Sequence, residues 1–348
     1  MNSEEIFMHR AMELAGLGRG AVSPNPLVGC IIVHQNRIIG EGWHKKYGDA
    51  HAEVNAIDSV DDKLLLKEST VYVSLEPCSH FGKTPPCADL LIKHGLQKVV
   101  VSNFDPNPLV GGRGIEKLRA ANVEVVTDFL KTQGEKLNRR FFTFIEKQRP
   151  YIILKWAQTA DGFIARENND SKWISNEFSR QLTHKWRSEE DAVLVGTITA
   201  KHDNPSLNVR DWSGRNPVRI VIDRFLKLDR SLHLFDQHQK TICYNCLKNE
   251  ALNNLQFVRL EEQNFISQLV RDLYKQKIQS VIIEGGATVL QLFIDAGLWD
   301  EARVFESPIS FGAGISSPRL NDGLIEEQEV FGDNLKVYQN DYQNKTKI

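Results

Sequence analysis

The chain has 348 residues, 43 Lys and Arg against 45 Asp and Glu, and a net charge of -2. That length exceeds one ordinary core and implies two domains, and the balanced charge with no basic block excludes a dedicated duplex or membrane-surface binder. The start, MNSEEIFMHR, carries acids and no apolar segment, so it is not a secretory signal, and no apolar run is long enough to span a bilayer. Five cysteines, two of them wanted as thiolates, make a reducing cytoplasm the simplest setting.

In chain order, apolar residues at helical spacing predict a helix from Ser3 to about Leu17. Val28–Val33, His34–Arg37 and Ile38–Ile39 read as strand, turn and strand. A helix starts at His51 and runs to about Ile57, and Thr70–Leu75 is a buried strand. Ala88–His94 reads as a helix closed by Gly95, and Val99–Val101 and Val123–Val126 as two further strands. Strands alternating with helices predict a layered α/β domain. Pro150 punctuates, and the boundary is placed near residue 147, giving domains 1–147 and 148–348. The second half repeats the style, with strands at Tyr151–Lys155, Ala192–Val195, Val218–Ile222, Thr241–Tyr244 and Ser280–Ile283. No internal repeat, low-complexity tract or coiled coil is read.

The chemistry-bearing pattern is His51-Ala52-Glu53 with Pro77-Cys78 and Cys87. One histidine and two cysteines can hold zinc tetrahedrally and leave a fourth position for the water to be activated. Glu53 is the natural proton carrier, as in zinc-dependent base deaminases. The spacing does not place His51 and Glu53 on one helix face, so the metal belongs near the helix end. Helix starts near Cys78 and Cys87 would favour the thiolates. A structural zinc site is the competing reading, but such sites usually close with a fourth Cys or His. Cys243 and Cys246 form a CxxC with no second pair and are read as incidental, and Cys30 as core.

The spacing between the cysteines carries a resemblance. The run Pro77-Cys-Ser-His-Phe-Gly-Lys-Thr-Pro-Pro-Cys87 is longer than the two-residue gap of polynucleotide deaminases. With Ser23–Gly29, Gly40–His44 and Asp105–Gly111, it is similar to the deaminase half of the bifunctional riboflavin-biosynthesis deaminase/reductases. Leu154–Gly162, Ser171–Ser175, Asp203–Leu207 and Glu284–Gly286 resemble the reductase half, so the likeness covers essentially the whole chain.

The resemblance implies an α/β chain with an N-terminal cytidine-deaminase-like three-layer αβα domain and a C-terminal dihydrofolate-reductase-like α/β domain. It implies zinc-dependent deamination of 2,5-diamino-6-(5-phosphoribosylamino)pyrimidin-4-one, then NADPH-dependent reduction of the ribosyl side chain to ribityl. The cofactors are then one Zn2+ per chain and NADPH. The partner is a small phosphorylated pyrimidine, with no nucleic acid or membrane, and the assembly a cytoplasmic homo-oligomer. By match, Asn25, His44, His80 and Lys83 contact the deaminase substrate, and Ser171, Arg187, Leu207, Arg210 and Glu284 the reductase substrate. Ala157, Trp173, Thr199, Asp203 and the stretch Gly286, Ala287, Thr288, Val289, Leu290, Gln291 and Leu292 contact NADP.

Read without the resemblance, those residues are turn asparagine, solvated charges, a surface histidine and core tryptophan. Asn107, between two prolines, is turn chemistry. There is no GxGxxG after the first strand of the second half, but strand–Gly285-Gly286–helix can hold an anion at its backbone amides. Lys155 follows an apolar strand run and would point into a pocket at the strand end, where it could supply or orient a proton. The chain departs from the family's usual pattern at Trp156 and Gln158, where smaller residues are common, and at Ala50, where proline often precedes the histidine. The alternatives are a deaminase of another base, nucleotide or tRNA fused to an unrelated domain, and a zinc-stabilised binding module. Glu53 separates the last from an enzyme, since a structural site has no need of it.

Overall fold

The computed structural model describes residues 2–79, 85–108, 110–171, 174–320 and 323–340. Two compact units emerge, Met1–Gln148 and Arg149–Ile348.

The first unit contains α1 (Ser3–Gly16), β1 (Gly29–His34), β2 (Arg37–Trp43), α2 (Ala52–Asp58), β3 (Thr70–Val73), α3 (Cys87–Lys93), β4 (Lys98–Val101), α4 (Arg113–Ala120), β5 (Glu124–Val126), α5 (Lys131–Leu137) and α6 (Arg139–Lys147). The five strands run in the order β2-β1-β3-β4-β5, with β3, β4 and β5 parallel and β1 antiparallel to both neighbours. The apolar run of β1 is buried on both faces because helices cover both. Cys30 and Ile32 pack with Ala52, Ala56, Leu91 and Leu118 of α2, α3 and α4. Ile31 and Val33 pack with Phe7, Met8 and Ala11 of α1. The result is a helix–sheet–helix sandwich.

Two glycines decide how closely α2 lies on the sheet. A Cβ on Gly42 would come within 2.2 Å of the Ala56 nitrogen, and one on Gly40 within 2.6 Å of the Ala56 carbonyl. Any side chain at either place would push α2 outward. His51 caps α2 and Glu53 lies in its first turn, so these glycines set the position of both.

The second unit contains β6 (Tyr151–Thr159), β7 (Phe163–Ala165), α7 (Glu177–Glu189), β8 (Ala192–Gly196), α8 (Thr197–Asp203), β9 (Val218–Ile222), β10 (Thr241–Asn245), β11 (Glu250–Leu252), β12 (Leu255–Arg259), α9 (Phe265–Lys275), β13 (Ser280–Ile283), α10 (Ala287–Asp295), β14 (Glu301–Ser307), β15 (Ile315–Ser316), β16 (Leu324–Val330) and β17 (Asp333–Gln339). Ten strands form one sheet, β11-β12-β10-β9-β8-β13-β6-β14-β17-β16, parallel from β12 to β14. Ile152, Leu154, Leu194, Ile220, Ile242 and Ile283 face α9 and α10, and the alternate residues face Trp186 of α7 and Ala200 of α8. At its start, Asp300 forms a buried bidentate pair with Arg149 (2.6 and 2.6 Å) and accepts from the Ile152 amide (2.9 Å).

Candidate functional sites

The first site gathers His51, Cys78 and Cys87, whose ligand atoms lie within 4.8 Å of one another; among the described residues no other histidine, cysteine or acid joins them. His51 Nδ1 is 3.3 Å from Cys87 Sγ and 3.6 Å from Cys78 Sγ. Tetrahedral zinc with ordinary Zn–N and Zn–S bonds places nitrogen and sulfur about 3.6 Å apart, so the donor set fits zinc with one position left over. Cys87 begins α3, and its amide donates to Cys78 Sγ at 3.3 Å, so the helix terminus serves the sulfur of the other cysteine. Cys78 itself lies outside any helix. Hydrogen bonding with Cys87, then with His51, holds the Cys78 thiol well below the usual thiol range. Cys87 is driven up by the same pairing. Two sulfurs competing for one negative charge are relieved by a cation.

Glu53 is 3 % exposed and close enough to Cys78 and His51 to feel their charges. Burial, then the charge of Cys78, raises its carboxyl to about 7, which suits a group that must take and return a proton. His44 lies beside His51, their ring centroids 5.6 Å apart. Its Nδ1 faces the Ala50 carbonyl at 3.2 Å and its Nε2 the Asn25 amide nitrogen at 3.1 Å. Asn25 can only donate there, so Nε2 accepts and Nδ1 carries the proton. Burial lowers the His44 pKa, which keeps that neutral tautomer. Asn25, His44, His51 and Glu53 thus form one cluster. His80 and Lys83 lie outside the described residues.

Glu76, absent from the sequence reading, organises the loop beyond the cysteines. It is buried and accepts from the amides of Gly112 (2.9 Å), Gly114 (2.9 Å), Asp105 (3.2 Å) and Ile115 (3.4 Å). The loop it holds contains Pro-Asn-Pro-Leu-Val-Gly at 106–111, an exact second copy of residues 24–29. This short repeat corrects the reading that none exists. Asn107 accepts from the Val110 and Gly111 amides at 2.8 Å, as turn chemistry requires.

The second site is a cavity of about 850 Å3 in the C-terminal unit. It opens because β13 stops pairing with β6 at Leu154, while β6 continues against β14 to Thr159. Lys155 is therefore mid-strand in β6 and meets the cavity where its neighbour ends, not at its own strand end. Its ammonium lies 5.6 Å from the Phe305 ring centroid, and burial lowers its pKa. Glu284, the first residue after β13, raises that pKa by its charge.

Arg187 and Glu284 both line the cavity, but they bind each other at 2.7 and 2.6 Å. This corrects the picture of Arg187 as a loose surface charge and commits two donors of its fork. Ser171, Leu207, Arg210, Ala157, Thr199, Asp203, Gly286, Ala287, Thr288, Val289, Leu290 and Leu292 also line it. Gln291 does not: it donates to Asp295 at 2.7 Å and accepts from the Arg319 amide at 2.9 Å, on another side of α10. Trp173 lies outside the described residues. Trp156 lines the cavity, and its indole donates to Gln158 at 2.9 Å, so two departures from the family's pattern interlock.

His184 was missed by sequence reading because nothing local marks it. It lines the cavity, accepts from the Arg210 amide at 3.3 Å and faces Asp211 at 3.2 Å. Burial, then Arg187, lowers it to about 4. Gly286 has φ +64° and, with Gly285, sits against Thr199 at 3.1–3.2 Å to an added Cβ. The amino end of α10 therefore faces the cavity bare, which suits a phosphate.

Residues 1–103 match the cytidine and deoxycytidylate deaminase zinc-binding region, and residues 150–342 the RibD C-terminal domain. The riboflavin biosynthesis protein RibD of Aquifex aeolicus is 39% identical over 96% of this chain and 98% of that protein. That of Escherichia coli is 35% identical over 89% of each. The solved deaminase/reductase of Thermotoga maritima is 37% identical with a TM-score of 0.90, covering 97% of this chain and 99% of that one. The chain therefore belongs to the RibD family of riboflavin biosynthesis proteins, with an N-terminal cytidine-deaminase-like domain and a C-terminal reductase domain of dihydrofolate-reductase-like fold.

Proposed function

We propose that the N-terminal site deaminates 2,5-diamino-6-(5-phosphoribosylamino)pyrimidin-4-one, and that the C-terminal cavity reduces the ribosyl side chain of the product to ribityl with NADPH. The observation that carries the first half is a three-donor cluster with a buried Glu53 against it and no fourth ligand among the described residues. His51, Cys78 and Cys87 would hold the zinc ion, which would supply Lewis acidity there. Glu53 takes a proton from the attacking water and delivers it to the departing amine. Asn25 and His44 hold the ring edge, each fixed by the other. His80 and Lys83, carried over from the family, complete the contacts to ring and phosphate.

In the second half, NADPH held in the cavity would supply the hydride. Lys155, partly buried where it lines the cavity, holds the proton for the sugar heteroatom, and Glu284 steadies its charge. Ser171, Arg187, Leu207 and Arg210 position the phosphorylated product. Ala157, Thr199, Asp203 and the 286–292 stretch, with Gln291 on its outer side, hold the dinucleotide, together with Trp173. Reduced Cys78 and Cys87 suit a cytoplasmic setting. The edge strand β16, with Leu324 and Ile325 half exposed, supports a homo-oligomer.

The test offers the diaminopyrimidinone ribosylamine phosphate first alone and then with NADPH. Ammonia released without NADPH, followed by NADPH oxidation only after deamination, is the expected result. Oxidation that precedes ammonia release refutes the order, and ammonia without any oxidation refutes the second half.

A further inference from the structure

The cavity runs along the carboxyl ends of four neighbouring strands, β6, β13, β8 and β9. At about 4.8 Å per strand, its two ends are about 14 Å apart. Lys155 and Glu284 mark the β6–β13 end, and the amino end of α10 lies between. On the reductase reading, which this inference rests on, the nicotinamide meets the sugar beside Lys155 and the pyrophosphate suits α10. The adenosine ribose then falls at the β9 end.

That end is built by the loop directly after Ile222. The acid that opens the loop, Asp223, also lines the cavity, but it is 2 % exposed and accepts from the amides of Lys227 (3.0 Å) and Leu228 (2.9 Å), one on each oxygen. An acid free at such a place accepts from the ribose 2′-hydroxyl and favours the cofactor without a 2′-phosphate. Here both oxygens are used to shape the loop. The other charged groups that the loop brings to the cavity are positive: Arg224 and Lys227 also line it. Neither forms an ion pair with an acid among the described residues. The Arg224 guanidinium stacks 4.7 Å over the ring of buried Phe265, which fixes its plane and leaves its N–H edges for an acceptor. Lys227 Nζ sits 5.7 Å from the ring centroid of Phe225.

We propose that Arg224 and Lys227 bind the 2′-phosphate of NADPH and set the preference of this reductase for NADPH over NADH. Each charge-assisted contact contributes about tenfold to a hundredfold in affinity. The test is titration calorimetry on the zinc-loaded full chain with NADP+, NAD+, 2′,5′-ADP and 5′-AMP. The wild type binds 2′,5′-ADP about a hundredfold more tightly than 5′-AMP. Arg224→Gln and Lys227→Gln each lose about tenfold or more for NADP+ and 2′,5′-ADP, with the affinity for NAD+ unmoved and the unfolding temperature kept. Equal affinity of the wild type for NADP+ and NAD+ overturns the clamp and leaves the reductase reading standing. A loss that falls on the phosphoribosyl substrate and not on NADP+ also overturns it. Failure to bind either dinucleotide overturns both.

Discussion

Replacing Gly42 by alanine tests whether packing of α2 on the sheet places the zinc ligands. The new Cβ would lie 2.2 Å from the Ala56 nitrogen, 2.5 Å from the Ala52 carbonyl and 2.7 Å from the Asn55 carbonyl carbon. All three are backbone atoms of α2, so no side chain can swing away. Ordinary contact begins near 3.4 Å, so the helix must retreat by about 1 Å. Overpacking of this kind costs about 1–3 kcal/mol. His51 caps this helix, and metal sites tolerate only about 0.2 Å in ligand distance. Zinc affinity is therefore expected to fall by at least about tenfold to a hundredfold, the range for disturbed ligand support. The assay is competition for zinc against a fluorescent chelator, with dinucleotide binding as a control on the C-terminal unit. Gly16→Ala, where nothing lies within 4 Å of the added Cβ, is the matched control and keeps full affinity. Gly42→Ala with undiminished zinc affinity would refute the reasoning.

Three further outcomes follow from buried charges in the C-terminal unit. Glu284→Gln leaves Arg187 buried without its carboxylate partner and is expected to cost about 3–5 kcal/mol by denaturant unfolding. It also removes the charge that raises Lys155, so any reductase activity that remains has its basic pH limb displaced to lower pH. Asp300→Asn breaks the pair with Arg149 and is expected to cost about 3–5 kcal/mol, against less than 1 kcal/mol for the exposed pair partner Asp128→Asn. His184 titrates near 4 when folded and near 6.5 when unfolded, so the unfolded chain takes up the extra proton as pH falls between those values. Stability present above pH 6.5 is lost towards pH 4, on the order of 3 kcal/mol; His184→Gln is expected to lack that slope, so it appears in full in the difference between wild type and variant in denaturant unfolding.

The zinc site was legible because its pattern is local. His51 and Glu53 are two residues apart, and Pro77-Cys78 follows a strand whose apolar run is unmistakable. The buried parallel strands β8, β9 and β13 were legible for the same reason: a sheet covered on both faces needs continuous apolar runs. What escaped depends on topology. Arg187 and Glu284 are 97 residues apart and meet only because β13 ends beside α7's flank of the sheet. Nothing in the sequence marks the role of Asp223, and only the amides of Lys227 and Leu228 reveal that both its oxygens are engaged. Strand β16 reads Leu-Ile-Glu-Glu-Gln-Glu-Val, exposed almost throughout, so it has no alternation to betray it. Gln291 shows the limit of carrying a contiguous stretch across: on a helix, one member of any such run faces away.

The most direct test of the account compares wild type with Glu53→Gln, both verified to hold one zinc per chain, for ammonia release from the diaminopyrimidinone ribosylamine phosphate without NADPH. The wild type is expected to release ammonia, and Glu53→Gln to be slower by about 100-fold or more, since a positioned acid–base group contributes about 10²–10⁴-fold. Equal rates with equal zinc would contradict the assignment of Glu53 and with it the catalytic reading of the metal site.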